Sequence, residues 1–160
     1  MTTTRRCSSR DTVIDDSSAG HSDSVLTLLV HTSKVLSQLA SERVGEFGFS
    51  LDEWMVLDAI AKRSGSSMTR ISEATGCYGA SLTRAVDKLV TNACVYREVS
   101  QADRRRVEVL LADAGREKHA EISAALTDLE SLLDQVLHTA EIERTVLLGI
   151  FNDMRRINPS

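Results

Sequence analysis

Residues 98–115 read EVSQADRRRVEVLLADAG, and the reading of this stretch decides the fold. Val95, Arg97 and Val99 alternate on its entry side, and Val107, Val109 and Leu111 on its exit side. Period-2 apolar spacing marks half-buried strands, and two such runs around a short polar loop form a hairpin. The tip, Gln101 to Arg106, places three consecutive arginines on the turn. A cationic tip on a thin β-ribbon has the shape and charge to enter a DNA groove. An arginine run alone is more often a solvated turn, and what precedes the hairpin changes that balance.

Upstream of the hairpin, Ser67 can cap a short helix from Met68 to Thr75 that Gly76 closes, and a second helix runs from near Gly79 to Thr91. Ile71, Leu82, Val86 and Leu89 then share one small core, the anatomy of a helix-turn-helix. Helix-turn-helix plus basic hairpin makes a winged helix. Before it, Ser50 and Glu53 form a capping box for a helix whose buried face carries Trp54, Leu57, Ile60 and Ala61 and which ends at Ser64–Gly65. A first long helix begins at Asp23 or Ser24 and reaches about Glu46, with an apolar stripe of Leu28, Leu29, Val35, Leu36 and Leu39.

After the hairpin, a long helix is predicted from Ala114 to about His138. Ile122, Leu126, Leu129, Leu133 and Val136 form a heptad seam along it. A last helix spans Ile142 to about Ile157, with Val146, Leu147, Ile150, Phe151 and Met154 repeating. These stripes exceed what a compact winged helix can cover, and a symmetric dimer is the simplest cover. The fold class is therefore mainly α: a winged helix-turn-helix with a two-stranded β-wing and a helical dimerisation region. Residues 1–23 read as a disordered polar tail, 24–49 and 114–157 as the dimerisation region, and 50–113 as the DNA-binding lobe. The tail could alternatively serve as a DNA-contacting arm through Arg5, Arg6 and Arg10.

Composition limits the function classes. The chain has 160 residues, 26% charged and 42% hydrophobic, enough for a real core and ordinary for a globular protein. Aromatics are 4%, too few for a base-stacking single-strand binder. The net charge of −4 hides an asymmetry. Residues 62–106 hold nine Lys or Arg against four Asp or Glu, a net +5, while the remainder holds ten against nineteen, a net −9. A basic island in an acidic frame is the footprint of a nucleic-acid reading module. No apolar run suits a membrane span. Arg5–Arg6 would suit a twin-arginine signal, but Cys7 to Asp23 is polar, so a cytoplasmic location is expected.

The chemistry of DNA reading concentrates in two places. Ser81, Arg84 and Lys88 fall at i, i+3 and i+7 of the second helix of the helix-turn-helix, opposite Leu82, Val86 and Leu89. Arg84 there suits a bidentate guanine contact and Lys88 a phosphate. In the tip, Asp103 stands two residues before Arg105, where its carboxylate can orient the arginine toward a narrow minor groove. Arg104 and Arg106 would point along the pleat to phosphates or, for Arg106, back to the acidic frame.

The segment DEWMVLDAIAKRSGSSMTRISEATGCYGASLTRAVDKLV, followed by VYREVSQADRRRVEVLLADAG, resembles the MarR family of bacterial transcription regulators. The likeness extends over about residues 25–157 in helix order and is most specific in LTRAVDKLV and ADRRRVEVLLADAG. By this resemblance Ser81, Thr83 and Arg84 lie on the recognition helix, Asp103 and Arg105 form the wing-tip pair, and Arg104 is the neighbouring wing arginine. Three positions depart from the family pattern. Ala93–Cys94 replaces a usual Gly-Leu, Leu111–Ala112 a usual Leu-Thr whose cap Asp113 could replace, and Tyr78 a small capping residue.

The resemblance further implies a homodimer on a pseudo-palindromic operator in double-stranded DNA, and repression relieved by a small ligand, often an aromatic acid. The ligand would sit where the DNA lobe meets the dimer frame. Since an acid needs a cation and an aromatic wall, His31, Lys34, Trp54, Asp58 and His119 are the candidates, although Trp54 also suits the core and each histidine a surface or satisfied core position. Cys7, Cys77 and Cys94 lack metal-ligand spacing, Cys77 and Cys94 read as small buried hydrophobes, and no cofactor is implied. No phosphate loop, nucleophile elbow or reasoned carboxylate pair supports an enzyme. The competing reading is a winged-helix docking module without sequence-specific DNA binding.

Overall fold

The computed structural model covers residues 24–100 and 103–157. In order come α1 (Val25–Gly45), α2 (Leu51–Lys62), β1 (Ser66–Ser67), α3 (Met68–Thr75), α4 (Gly79–Thr91), β2 (Val95–Val99), β3 (Val107–Leu111), α5 (Asp113–Thr139) and α6 (Arg144–Ile157). The tail expected over residues 1–23, with Cys7 and its arginines, lies outside the described residues, as do Gln101 and Ala102.

Local chemistry explains most of the boundaries. Ser50 accepts a hydrogen bond from the backbone N–H of Glu53 at 3.2 Å, and Glu53 accepts from the N–H of Ser50 at 3.0 Å, the reciprocal capping box that starts α2. Ser67 caps α3 through the N–H of Arg70. Gly76 ends α3 at φ +72°, in the left-handed region that glycine enters without a Cβ clash. The turn into α4 is stapled by Ser72 Oγ donating to the Cys77 carbonyl and by the Cys77 N–H donating to Thr75 Oγ1.

The departures from the family pattern have visible consequences. Ala93 takes up the left-handed conformation at φ +56°, just past α4. Its N–H bonds the Val90 carbonyl and the Cys94 N–H bonds the Leu89 carbonyl, a Schellman motif with alanine in the glycine position. Ala112 precedes α5 without any side-chain cap. Asp113 does not replace it: its carboxylate pairs with Arg116 at 3.3 Å and only complements the helix dipole. Tyr78 likewise offers α4 no side-chain cap.

The two-stranded wing expected is formed by β2 and β3, and among the described residues β1 joins it as a third antiparallel strand in the order β1-β3-β2. Two serines carry no period-2 signal, so β1 is set by its partner: Ser66 pairs opposite Val109 and is buried, its hydroxyl donating to the Arg63 carbonyl at 2.7 Å. In the hairpin Val95 faces Leu111 and Val99 faces Val107. The alternation is realised, but only its base is buried. Val95, Val109 and Leu111 join the core, while Val99 and Val107 remain exposed near the tip.

One cluster organises the lobe. Val56, Leu57 and Ile60 of α2, Ile71 of α3, Val86 and Leu89 of α4, Val109 of β3 and Ile122 of α5 have at most 1% of their surface exposed. Each such side chain contributes about 1.5–3 kcal/mol relative to exposure, which makes this cluster the main anchor of the elements that carry the wing and α4. Val56 belongs to the buried face of α2, whereas Trp54 and Ala61 only pack against the cluster from its edge.

Elsewhere the apolar stripes stay uncovered. Leu28, Leu29 and Val35 of α1, Leu132 and Val136 of α5, and Val146, Leu147, Ile150 and Met154 of α6 are exposed. The heptad seam of α5 thus divides: Ile122 and Leu129 are buried in this chain, and Val136 is not. Arg144 ties α6 back to α5, with Nε 2.8 Å from Asp134 and Nη2 3.2 Å from Glu130.

Candidate nucleic-acid interface

Helix α4 is amphipathic by sequence and oriented by its burial. Leu82, Ala85, Val86 and Leu89 face the core, leaving Ser81, Thr83, Arg84 and Lys88 on the exposed side. Thr83 returns its hydroxyl to the Gly79 carbonyl at 3.1 Å, which leaves its methyl and lone pairs toward solvent. Ser81 donates to Asp52 of α2 at 2.7 Å. Arg84 and Lys88 have no carboxylate within ion-pairing distance among the described residues.

Among the described residues, an ion pair ties the wing to this helix. Arg97 Nη2 of β2 lies 2.6 Å from Asp87 Oδ1 of α4. Asp87 sits between Arg84 and Lys88 in sequence, yet its charge is spent on the wing instead of on them. Sequence reading missed this role of Arg97, because its partner is a turn of helix and a loop away and no local periodicity marks it. It missed Asp52 for the same reason, the partner being 29 residues distant.

At the tip, Asp103 acts on the backbone. Its Oδ1 accepts the N–H of Arg105 at 3.0 Å, its carbonyl accepts the N–H of Arg106 at 2.8 Å, and Ser100 N–H closes on the Arg106 carbonyl at 2.9 Å. The expected side-chain bond from Asp103 to Arg105 is not the one formed. Asp103 pairs instead with the guanidinium of Arg106 at 3.3 Å, which therefore does not reach the acidic frame. The carboxylate two residues earlier is nearer to the backbone than to a long side chain, so it shapes the turn. Arg104 and Arg105 keep their guanidinium groups unpaired among the described residues.

The five ligand candidates separate into two groups. Trp54 stacks on His119, with ring centroids 5.0 Å apart and planes 22° apart, and His119 Nε2 lies 3.0 Å from Asp58 Oδ1. Asp58 also holds Lys62 at 2.6 Å. His31 and Lys34 stand exposed on α1. A cleft of about 180 Å³ opens between α1, α2 and α5, lined by Leu36, Ala40, Trp54, Leu126, Leu129, Glu130 and Leu133. Of the candidates only Trp54 lines it.

Cys77 and Cys94 are free and buried. Burial pushes the thiol of Cys77 up, opposed by a hydrogen bond from the Thr75 side chain and reinforced by Asp52. Burial also raises Cys94, against the pull of Lys118. Both therefore favour the unreactive thiol form at neutral pH. Among the described residues no helix is long and apolar enough to cross a membrane.

A helix-turn-helix carrying exposed cations on its second helix, with an arginine-tipped hairpin beside it, defines the winged helix-turn-helix class. The model of the MarR family matches residues 47–106, which run from the end of α1 to the tip of the wing. That segment holds the helix-turn-helix and the wing, so the chain carries a winged helix-turn-helix like that of the MarR family of transcription regulators.

Solved structures share the fold well beyond that segment. CouR from Rhodococcus jostii, bound to p-coumaroyl-CoA, superposes with a TM-score of 0.70 at 18% identity, over 87% of this chain and 95% of its own. The repressor CouR on a 23-mer DNA duplex gives 0.69 at 20%, over 82% and 92%. BpsR of Bordetella bronchiseptica, whose DNA binding is regulated by 6-hydroxynicotinic acid, gives 0.66 at 18%, over 88% and 97%. No curated protein matches the sequence.

Proposed function

We propose that this chain is a repressor that binds a pseudo-palindromic operator as a homodimer and is released by a small effector. The observation that carries the DNA half is the set of cations Arg84, Lys88, Arg104 and Arg105 on α4 and the wing tip, which have no acidic partner among the described residues. In the same lobe Arg97 and Arg106 are already paired. Four cations held exposed and unpaired on two adjoining elements match the spaced phosphates and groove edges of a duplex. Ser81, Thr83 and Arg84 would meet base edges in the major groove, Lys88 and Arg104 phosphates, and Arg105 the minor groove, with Asp103 shaping the tip that carries it.

The uncovered stripes of α1, α5 and α6 support the dimer, with residues 24–49 and 114–157 as its frame and 50–113 as the reading lobe. A dimer binds well only when its two recognition helices meet successive major grooves, roughly 34 Å apart. An effector preferring a mis-spaced state lowers DNA affinity by its differential affinity for the two states. The cleft between α1, α2 and α5 joins lobe to frame, and Trp54 gives it the aromatic wall that an aromatic acid or thioester would use. Asp58 and His119 support that wall, and His31 or Lys34 on α1 would supply the cation.

Footprinting on the DNA flanking the gene, repeated with a panel of aromatic acids, tests both halves. Arg105→Ala should weaken duplex binding roughly tenfold or more at fixed salt while leaving the dimer intact. Unchanged binding by that variant would remove the wing from the interface.

A further inference from the structure

Ser81 donates its only hydroxyl hydrogen to Asp52 Oδ2 at 2.7 Å. A serine hydroxyl has one hydrogen and two lone pairs, whereas a carboxylate at neutral pH accepts only. Hydrogen bonds to an ionised acceptor are roughly twice as strong as those between neutral groups, so the hydrogen is held on the Asp52 side. What Ser81 has left to offer a ligand is its lone pairs.

This matters because the major groove is read as a pattern of donors and acceptors. Adenine and cytosine present amino donors there, whereas guanine presents O6 and N7, and thymine O4, all acceptors. A serine free to rotate accepts from the first pair or donates to the second and discriminates little. Held by Asp52, the Ser81 oxygen can accept from adenine or cytosine, but it meets the acceptors of guanine and thymine with lone pair against lone pair.

We propose that Asp52 is a specificity-determining residue: by orienting the Ser81 hydroxyl, it makes this position of each half-site read an exposed amino group, adenine or cytosine. Asp52 lies in the first turn of α2, outside the recognition helix, and acts only through Ser81, so it is a positioning residue. It is free for that role because Glu53, not Asp52, completes the capping box of α2. The inference rests on the reading that α4 enters the major groove.

The test is a selection from a pool of duplexes with a randomised core, sequenced after binding to the full-length wild type, Asp52→Asn, Ser81→Ala and the double variant. The wild type should select adenine or cytosine by about tenfold or more at one base per half-site, the scale of a single good base contact. Ser81→Ala should flatten that position alone. Asp52→Asn keeps the shape, but its amide can donate as well as accept, so the serine hydroxyl is no longer held in one direction and guanine and thymine should become more acceptable there. In the double variant Asp52→Asn should add nothing to Ser81→Ala.

A wild-type preference for guanine or thymine at the base that Ser81→Ala alters would overturn the proposal. So would an Asp52→Asn motif identical to that of the wild type. Should Asp52→Asn not fold, the base lost in Ser81→Ala decides alone: adenine or cytosine supports the proposal, and guanine or thymine overturns it. If the wild type selects no motif at all, the operator-binding reading itself fails, an outcome distinct from a motif that ignores Asp52.

Discussion

Gly115 of α5 packs against the backbone of Cys94 so closely that a Cβ would overlap the Cys94 carbonyl oxygen and lie 2.7 Å from its carbonyl carbon. The same carbonyl accepts the N–H of Ala112 at 3.0 Å, which prevents it from moving away. The start of the long helix is thereby locked to the start of the wing. Gly115→Ala should gain up to about 1 kcal/mol of helix propensity. It should nevertheless destabilise the protein by a net of about 1–3 kcal/mol, because the obstructing atoms are backbone. Urea denaturation measures the difference.

Ala93 makes the opposite prediction. A non-glycine residue in the left-handed region costs roughly 1–2 kcal/mol. Glycine returns about 0.4–1 kcal/mol of that through the freedom it adds to the unfolded chain. Ala93→Gly should therefore stabilise the chain by up to about 1 kcal/mol, raising the melting temperature by about 2–4 °C. Thermal unfolding checks it, and a lower melting temperature would show that the alanine side chain makes compensating contacts.

The wing tip separates charge from shape. If Asp103 serves the turn by accepting the Arg105 N–H, then Asp103→Asn should retain nearly all duplex affinity, since asparagine supports the same turn. Asp103→Ala should lose several-fold while stability changes by less than about 0.5 kcal/mol. Fluorescence anisotropy on a labelled duplex at fixed salt distinguishes the cases. Equal losses in the two variants would mean that the carboxylate charge itself matters.

Arg144 and Asp134 predict an acid sensitivity in the frame. The hydrogen bond from the Arg144 guanidinium holds the Asp134 carboxyl below its ordinary value of 3.8. A depressed carboxyl contributes stability that is present above its unfolded value and is lost as pH falls through the lower folded value. The window is therefore below about pH 4. Arg144→Gln should flatten the acid limb of stability against pH, and high salt should mimic the variant because the pair is exposed. Urea midpoints across that pH range give the answer.

The sequence by itself determined the element order, most helix ends and the exposed face of α4. These follow from short-range chemistry: the Ser50–Glu53 box, the left-handed Gly76, and the spacing of Leu82, Val86 and Leu89. The hairpin was legible too, since period-2 alternation is local. Tertiary structure alone decided the rest, because distance along the chain hides a contact from any periodicity. It added β1 as a third strand, paired Arg97 with Asp87, turned the Asp103 carboxylate to the backbone, and set Trp54 on His119. It also gave Ser81 its partner. Helix α4 was visible in the sequence, but which way its serine hydroxyl points depends on an aspartate from another helix, brought within 2.7 Å only by the packing of α2 against α4.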